Sequence, residues 1–307
     1  MERLDIVVPA YNEENNIPLL IEQLQMVFAS HAIDWQVCFV DDGSKDQTWV
    51  IIQRMASQNP RIHGLRLSRN FGHQSGILAG MEWSTGDYVL SMDCDLQHPP
   101  EVIPCMLEKI RQGHDIVVAT RQEQKVTYFK KYTSDFFYRL FNVLADTRLA
   151  PNAADFRLVS RKVRDGLLRL EERDMFLRGM VSWIGYDIGY VTYDQPDRQH
   201  GSSSYTLQKM LRLAKNGIVS FSSRPLYIAF LLGIAFILAS LAYGFFILMA
   251  FLMHLPMGKG WPSLILFVMA SSGIQLLCIG ILSVYVASIY KEVKHRPHYM
   301  VRDKTDK

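Results

Sequence analysis

YVLSMDCDLQHPP, residues Tyr88 to Pro100, sets an apolar run against two carboxylates and marks where a strand ends and a site begins. Val89, Leu90 and Met92 read as a short buried strand. Past its end, side-chain alternation turns Asp93 and Asp95 to one side, where two carboxylates repel unless a proton or cation lies between them. A hard divalent ion, Mg²⁺ or Mn²⁺, suits oxygen ligands and completes its shell with phosphate oxygens, so Gln97 and a diphosphate fit the remaining positions. Taken alone, such a D-x-D is as readily a solvated acidic turn, and the rest of the chain has to decide.

Outward from that stretch, one unit repeats. Leu4 to Val8 is a β-rich run followed by Tyr11, Asn12 and Glu13 and a helix from about Asn16 to Ala29. Gln36 to Val40 leads into Asp41, Asp42 and Gly43 and a helix to about Gln58. Ile62 to Leu67 leads into Arg69 and Asn70 and a helix to Ser84, and Asp115 to Ala119 makes a fifth strand. Strands alternating with helices predict an α/β domain built on a mostly parallel sheet. In such sheets ligands bind beyond the carboxyl ends of the strands, where Tyr11, Asp41, Asp42, Arg69, Asp93 and Asp95 all fall. That set suits a nucleoside diphosphate: Tyr11 to stack on a base, Asp42 to accept from its polar edge, and a metal on Asp93 and Asp95 to hold the diphosphate. Asp42, Gly43 and Ser44 also read as turn chemistry, and Asp46 as a helix cap. A dinucleotide fingerprint is absent, since no G-x-G-x-x-G follows the first strand.

The chain has 307 residues and 49% hydrophobic content, concentrated toward the C-terminus. No Asp, Glu, Lys or Arg lies between Arg224 and Lys259 or from Gly260 to Tyr290, and each stretch exceeds the roughly 20 residues that span a bilayer. Lys259 alone charges the intervening loop. Lys209, Arg212 and Lys215 precede the hairpin and Lys291, Lys294, Arg296, Arg302, Lys304 and Lys307 follow it, so the positive-inside tendency predicts cytoplasmic termini. Met1 begins no cleavable signal pattern. A net charge of +3 is too small to suggest a nucleic-acid partner, but the clustered basic residues beside the hairpin suit anionic lipid headgroups. Cys38, Cys94, Cys105 and Cys278 show no metal-pair spacing. Thr206 to Phe221 alternates apolar and basic residues at helical spacing, as an interfacial helix or a surface helix would. Tyr128 to Leu144 reads equally as interfacial or core. The organisation expected is a catalytic domain over 1–205, an interfacial helix over 206–224, two membrane helices over 225–290 and a basic tail over 291–307. Gly233, Ala239, Gly273 and Gly280 in the spans permit association into a homo-oligomer.

Five strings, VVPAYNEE (Val7 to Glu14), VDDGSKDQT (Val40 to Thr48), LSRNFGHQ (Leu67 to Gln74), MDCDLQHPPE (Met92 to Glu101) and ADFRLVSR (Ala154 to Arg161), resemble family 2 glycosyltransferases of the GT-A fold. More narrowly, the chain is similar to the polyprenyl-phosphate glycosyltransferases: bactoprenol glucosyltransferases, dolichol-phosphate mannose synthases and aminoarabinose-type transferases. The resemblance implies that Pro9, Tyr11, Glu13 and Asp42 hold the base and ribose, with Arg69 also on the nucleotide-sugar side. It implies that Asp93, Asp95 and Gln97 serve metal and diphosphate. Asp155, beside Arg157, matches the carboxylate assigned as catalytic base. Arg121, Lys130, Lys131 and Ser134 match contacts to the acceptor phosphate, and Arg198 and Ser202 a loop that closes over the substrates.

Two departures stand out. Ser204 occupies a position where many relatives carry Lys, and Ala154 replaces a common Gly. The near-match to the processive-synthase signature Q-x-x-R-W at Gln195 to Arg198 fails at Gln199, which argues for transfer of one sugar at a time. The reaction implied moves a sugar from a nucleotide donor, with UDP-glucose expected ahead of UDP-GlcNAc, a UDP-aminoarabinose derivative and GDP-mannose, to a polyprenyl (undecaprenyl) phosphate at the inner membrane. A phosphate monoester with a second pKa near 6 is already largely dianionic at neutral pH, so Asp155 is expected mainly to position the acceptor. Another lipid acceptor such as diacylglycerol is the alternative within enzymes. A catalytically idle scaffold is the alternative outside them, and the retained Asp93, Asp95, Asp155 and Arg198 weigh against it.

Overall fold

The structure is a computed structural model that describes residues 2–31, 33–121, 153–170, 172, 177–194, 224–253 and 260–305. Two units divide them: the residues up to Asp194 together with 296–305, and the residues 224–253 with 260–295.

The first unit is an eight-stranded sheet. Its strands are β1 (Arg3–Ala10), β2 (Asp34–Asp41), β3 (Ile62–Leu67), β4 (Tyr88–Ser91), β5 (Ile116–Arg121), β6 (Ala153–Ser160), β7 (Ile188–Tyr193) and β8 (Val301–Lys304), in the order β7-β5-β6-β4-β1-β2-β3-β8. β1 runs parallel to β2 and β4, β2 to β3, and β5 to β7, while β6 and β8 run antiparallel to their neighbours. The helices α1 (Asn16–Ala29), α2 (Thr48–Gln58), α3 (His73–Trp83), α4 (Ile103–Arg111), α5 (Arg161–Leu168) and α6 (Leu177–Trp183) accompany it. β1 is buried at every residue after Arg3, the near-continuous apolar run of a strand covered on both faces. Ile17, Leu20, Ile21, Leu24 and Phe28 form the buried stripe of α1, recurring every three or four residues. Gly80 lets α3 press on β1, since a Cβ there would lie 2.1 Å from Val7 Cγ1.

Each of the first five strands coincides with one read from the sequence. β6 is the addition that matters, because it enters between β4 and β5 and carries Asp155 and Arg157 into the middle of the sheet. The basic tail expected over 291–307 takes a different course: a helix continues to Val293, and Val301–Lys304 joins the sheet beside β3. An edge strand tolerates such charge because it faces water, and these four residues cover the last half of β3, Leu65 to Leu67.

The second unit contains α7 (Arg224–Leu252) and α8 (Trp261–Val293). Both are long enough and apolar enough to cross a membrane over Leu226–Ala250 and Phe267–Val293, and their apolar side chains lie exposed rather than in a protein core. Phe236 stacks on Phe267 at 5.4 Å and Cys278 Sγ lies 3.7 Å from the Ala229 carbonyl, so the two helices pack antiparallel.

Candidate active site

The carboxyl ends of β1, β2, β3 and β4 and the middle of β6 gather the candidate residues. On the β1–β2 side, the loops that follow the two strands are tied together by three bonds. The Asn12 N–H donates to Ser44 Oγ at 2.9 Å, the Lys45 N–H to Asn12 Oδ1 at 2.9 Å and the Glu13 N–H to Thr48 Oγ1 at 2.9 Å. Asn12 adopts a left-handed conformation (φ 58°), a conformation Asn tolerates better than most residues. Tyr11 is thereby held on the surface, 42% exposed, available for stacking. Glu13 Oε2 accepts from Asn16 Nδ2 at 2.6 Å, and Pro9 is buried 3.0 Å from where a Cβ on Gly76 would lie.

Both alternatives for the Asp41–Ser44 turn have content. Asp41 Oδ1 accepts the Ser44 N–H at 2.8 Å, an Asx-type turn, while Oδ2 lies 3.3 Å from Arg66 Nε. Gly43 has φ 72° and a Cβ there would sit 2.6 Å from the Arg69 carbonyl carbon, so only glycine lets the two loops touch. Asp42 accepts the Phe71 N–H at 2.7 Å and the Gly72 N–H at 2.8 Å. Burial raises its carboxyl pKa against the lowering effect of those two bonds. Asp42 therefore braces the loop that carries Arg69, whose guanidinium lies 4.3 Å over the Phe71 ring.

Beyond β4 the chain leaves the strand at Ser91, so Asp93 and Asp95 sit in a turn with Leu96 at φ 61°, and strand alternation no longer governs them. The turn is shaped by local bonds instead. The Asp93 N–H donates to His98 Nδ1 at 2.9 Å and the Gln97 N–H to Asp95 Oδ1 at 3.2 Å. His98 is fully buried, stacked on Phe156 at 5.0 Å with Tyr193 against its edge at 6.2 Å. Burial lowers its pKa, and an Nδ1 that accepts a backbone N–H belongs to the neutral ring. Arg121 Nε reaches the Tyr193 hydroxyl at 3.4 Å, bringing a residue expected on the acceptor side to the same aromatic cluster.

The centre of the site is Asp155 on β6. Arg157 Nη2 donates to Oδ1, and Arg178 from α6 grips both oxygens at 3.1 and 3.0 Å. His73 Nε2 stands 3.3 Å from Asp93 Oδ1 and 3.8 Å from Asp155 Oδ2, between the two carboxylates. Burial alone would raise the Asp155 pKa, but the two guanidinium groups outweigh it and hold the carboxyl well below the usual carboxylate range. Asp93 Oδ1, Arg157 Nε and Arg157 Nη1 are buried without a hydrogen-bond partner. Buried polar atoms left so are uncommon and here converge on one edge of the sheet.

The Asp93 carboxylate, whose Oδ1 makes no hydrogen bond and has the His73 ring nitrogen 3.3 Å away, is followed two residues on by Asp95, a donor set that fits a hard cation. No cage of three or more His, Cys, Asp or Glu side chains exists among the described residues, so such an ion would take further ligands from substrate and water. Lys130, Lys131, Ser134, Arg198 and Ser202 lie outside the described residues, as do Ser204 and the two candidate interfacial helices. The residues that sequence reasoning missed are His73, His98, Tyr193 and Arg178. His73 and His98 lie within strings already singled out. Arg178 is a lone charge in an apolar helix, and that mismatch was the available signal.

Comparison with known proteins places these observations in one family. The model of glycosyl transferase family 2 matches residues 5–167. A bactoprenol glucosyl transferase of Shigella phage SfV is 35% identical over 306 residues, covering 99% of this chain and 100% of its own length. A prophage bactoprenol glucosyl transferase homolog of Escherichia coli K12 is 34% identical, covering 98% of each chain. An uncharacterized glycosyltransferase of Bacillus subtilis, YkcC, is 40% identical over 97% of this chain and 92% of its own. Among solved structures, mannosyl-3-phosphoglycerate synthase of Rubrobacter xylanophilus aligns over 70% of this chain and 71% of its own, at 16% identity and a TM-score of 0.48.

Proposed function

The chain belongs to glycosyl transferase family 2, and from that premise we propose that it moves one sugar from a nucleotide sugar, UDP-glucose first among them, to a polyprenyl phosphate at a membrane surface. The full-length likeness to bactoprenol glucosyl transferases carries this reading, since it spans the apolar hairpin as well as the catalytic unit. In the reaction, a phosphate oxygen of the acceptor bonds to the anomeric carbon from the face opposite the leaving group. The C1–O bond to the diphosphate breaks, the nucleoside diphosphate departs with the electron pair, and the configuration inverts.

Tyr11 stacks on the base, and the tied loops around Asn12 and Ser44 fix it there. Asp93 and Asp95, with Gln97 beside them, are the residues to hold Mg²⁺ or Mn²⁺ against the diphosphate. That ion, when bound, supplies Lewis-acid neutralisation of charge on the leaving group. Asp155 is suited to positioning rather than to proton abstraction, because Arg157 and Arg178 make it too weak a base for a hydroxyl. A phosphate acceptor needs no such base, being mostly dianionic at neutral pH. The chemistry of the acceptor and the electrostatics of Asp155 therefore agree.

The catalytic unit is assigned to the cytoplasmic face of the inner membrane. Supporting this are the basic residues flanking the hairpin and the position of β8, which returns to the sheet after the second apolar helix and so requires an even number of crossings. The test is transfer from a panel of radiolabelled nucleotide sugars to undecaprenyl phosphate and, in parallel, to diacylglycerol, in detergent, with Mn²⁺, with Mg²⁺ and with chelator. Metal-dependent label in the lipid phase from one donor is expected. Label appearing only with diacylglycerol, or from no donor at all, overturns the assignment.

A further inference from the structure

We propose that the C-terminal segment Tyr299–Thr305 is a positioning element of the donor site, acting through the loop that joins β3 to α3. The segment lies beyond the second apolar helix, yet it is built into the catalytic unit. β8 pairs antiparallel with β3, Arg66 opposite Asp303 and Leu67 opposite Val301. The ladder continues past the strand at both ends. The Ser68 N–H donates to the Met300 carbonyl at 2.8 Å, and the Thr305 N–H to the Gly64 carbonyl at 3.0 Å, with Thr305 Oγ1 accepting the Gly64 N–H at 2.8 Å. The Tyr299 hydroxyl donates to Glu82 on α3.

What gives these contacts a role in the site is where they end. Ser68 immediately precedes Arg69 to His73, the stretch whose far end is held by Asp42 through Phe71 and Gly72. That loop is thus pinned at one end by the tail and at the other by the β2–α2 turn. It carries Arg69, and it places His73 against Asp93 and Asp155. A second route runs through charge: Asp303 Oδ2 lies 3.8 Å from Arg66 Nη1, Arg66 Nε 3.3 Å from Asp41 Oδ2, and Asp41 accepts from Ser44, whose hydroxyl holds Asn12 beside Tyr11. The first route is the stronger, because the tail's own link in the second, Asp303 to Arg66, is a long and part-exposed ion pair of little worth, while backbone bonds at a sheet edge fix position. Releasing the tail frees one end of the loop and leaves the Asp93–Asp95 turn and the Asp155 cluster in place.

The donor-site consequence rests on the functional reading above; the mechanical one does not. The test uses the full chain in detergent and the variant Thr305→Pro, which removes the N–H that donates to Gly64 and the hydroxyl that accepts from it. Two readouts are taken. Amide exchange at Phe71, Gly72 and His73 is expected to quicken with little change in the β1 amides. The KM for the nucleotide sugar is expected to rise about tenfold, equivalent to roughly 1.4 kcal/mol, with kcat at saturating donor held within about twofold. Unchanged exchange at those amides in a folded Thr305→Pro protein overturns the proposal, as does a fall in kcat with donor KM unaltered. Should that variant not fold, Tyr299→Phe decides, with about a threefold rise in KM expected for one lost hydrogen bond and no rise overturning the role. If wild-type protein transfers from no nucleotide sugar, the functional reading falls, and the exchange comparison still judges the tail.

Discussion

Asp5 and Asp155 are both buried carboxylates in the same sheet, at opposite ends of it, and they are treated in opposite ways. At the amino edge, Asp5 accepts the Thr85 and Gly86 N–H groups at 2.7 Å each, Gln36 Nε2 at 2.9 Å and Arg3 Nε at 3.2 Å. Four donors saturate the acceptor sites of a carboxylate, and nothing is left over for a ligand. At the carboxyl edge, Asp155 is met by two guanidinium groups, one of which keeps two buried N–H-bearing atoms without hydrogen bonds, and Asp93 Oδ1 nearby accepts no hydrogen bond, with the His73 ring 3.3 Å away. The first arrangement satisfies the fold, and the second leaves bonding capacity where ligands of α/β sheets bind. A buried charge by itself therefore marks no site; the capacity remaining around it does.

Four measurements break or sharpen that contrast. Asp93→Asn should lower kcat/KM about 10³-fold while leaving the thermal midpoint nearly unchanged, because it removes metal affinity and transition-state stabilisation from an edge that the fold does not depend on. Asp5→Ala should do the reverse. Stranding buried donors is expected to cost about 3 kcal/mol of stability in denaturant titration, with specific activity per folded molecule preserved. If Asp5→Ala instead abolished activity at wild-type stability, the contrast between the edges would collapse.

Asp155→Asn comes next, with about a 10²-fold loss of transfer expected from the released arginines. Its pH dependence is the sharper readout. A carboxyl with a depressed pKa contributes stability that is present above its unfolded value near 3.9 and is lost as pH falls through the folded value, so Asp155 does not titrate across an assay from about pH 5.5 to 9. The ratio of mutant to wild-type rate should stay flat over that range; a ratio that changes tenfold per pH unit would make Asp155 the base after all. The smallest effect is expected for Tyr11→Ala. Loss of base stacking should raise the donor KM about tenfold, and Tyr11→Phe should restore it, since the ring rather than the hydroxyl does the stacking.

The parallel half of the fold was legible in the sequence because each strand there is a mostly apolar run, interrupted by single polar residues such as Asp5, Gln36 and Arg66, that gives way to polar residues and then a helix. β6 was not, and Asp155 and Arg157 are the reason: two charges at alternate positions give no strand signal while their partners are unseen, whereas paired to each other and to Arg178 they occupy a central strand. β8 was misjudged for a related reason. Its Arg302, Asp303 and Lys304 look like a solvated tail, and charge of that kind is also what a water-facing edge strand carries. In the site, Asp93, Asp95 and Asp42 announced themselves by spacing. Asp42 then proved to grip a neighbouring loop, and the contact between His73, Asp93 and Asp155 draws on three separate elements that no local pattern joins. Arg178 needed the packing of α6 against the sheet before its role could be seen.

The late arrival of β8 also bears on how the chain is made. β3 is synthesised roughly 230 residues ahead of the strand that covers it, which at 5 to 20 residues per second leaves its outer edge unpaired for about 10 to 45 seconds. During that interval both apolar helices emerge. An open strand edge beside newly made hydrophobic segments is a setting for mispairing, and the nascent catalytic unit passes through it on every round of synthesis.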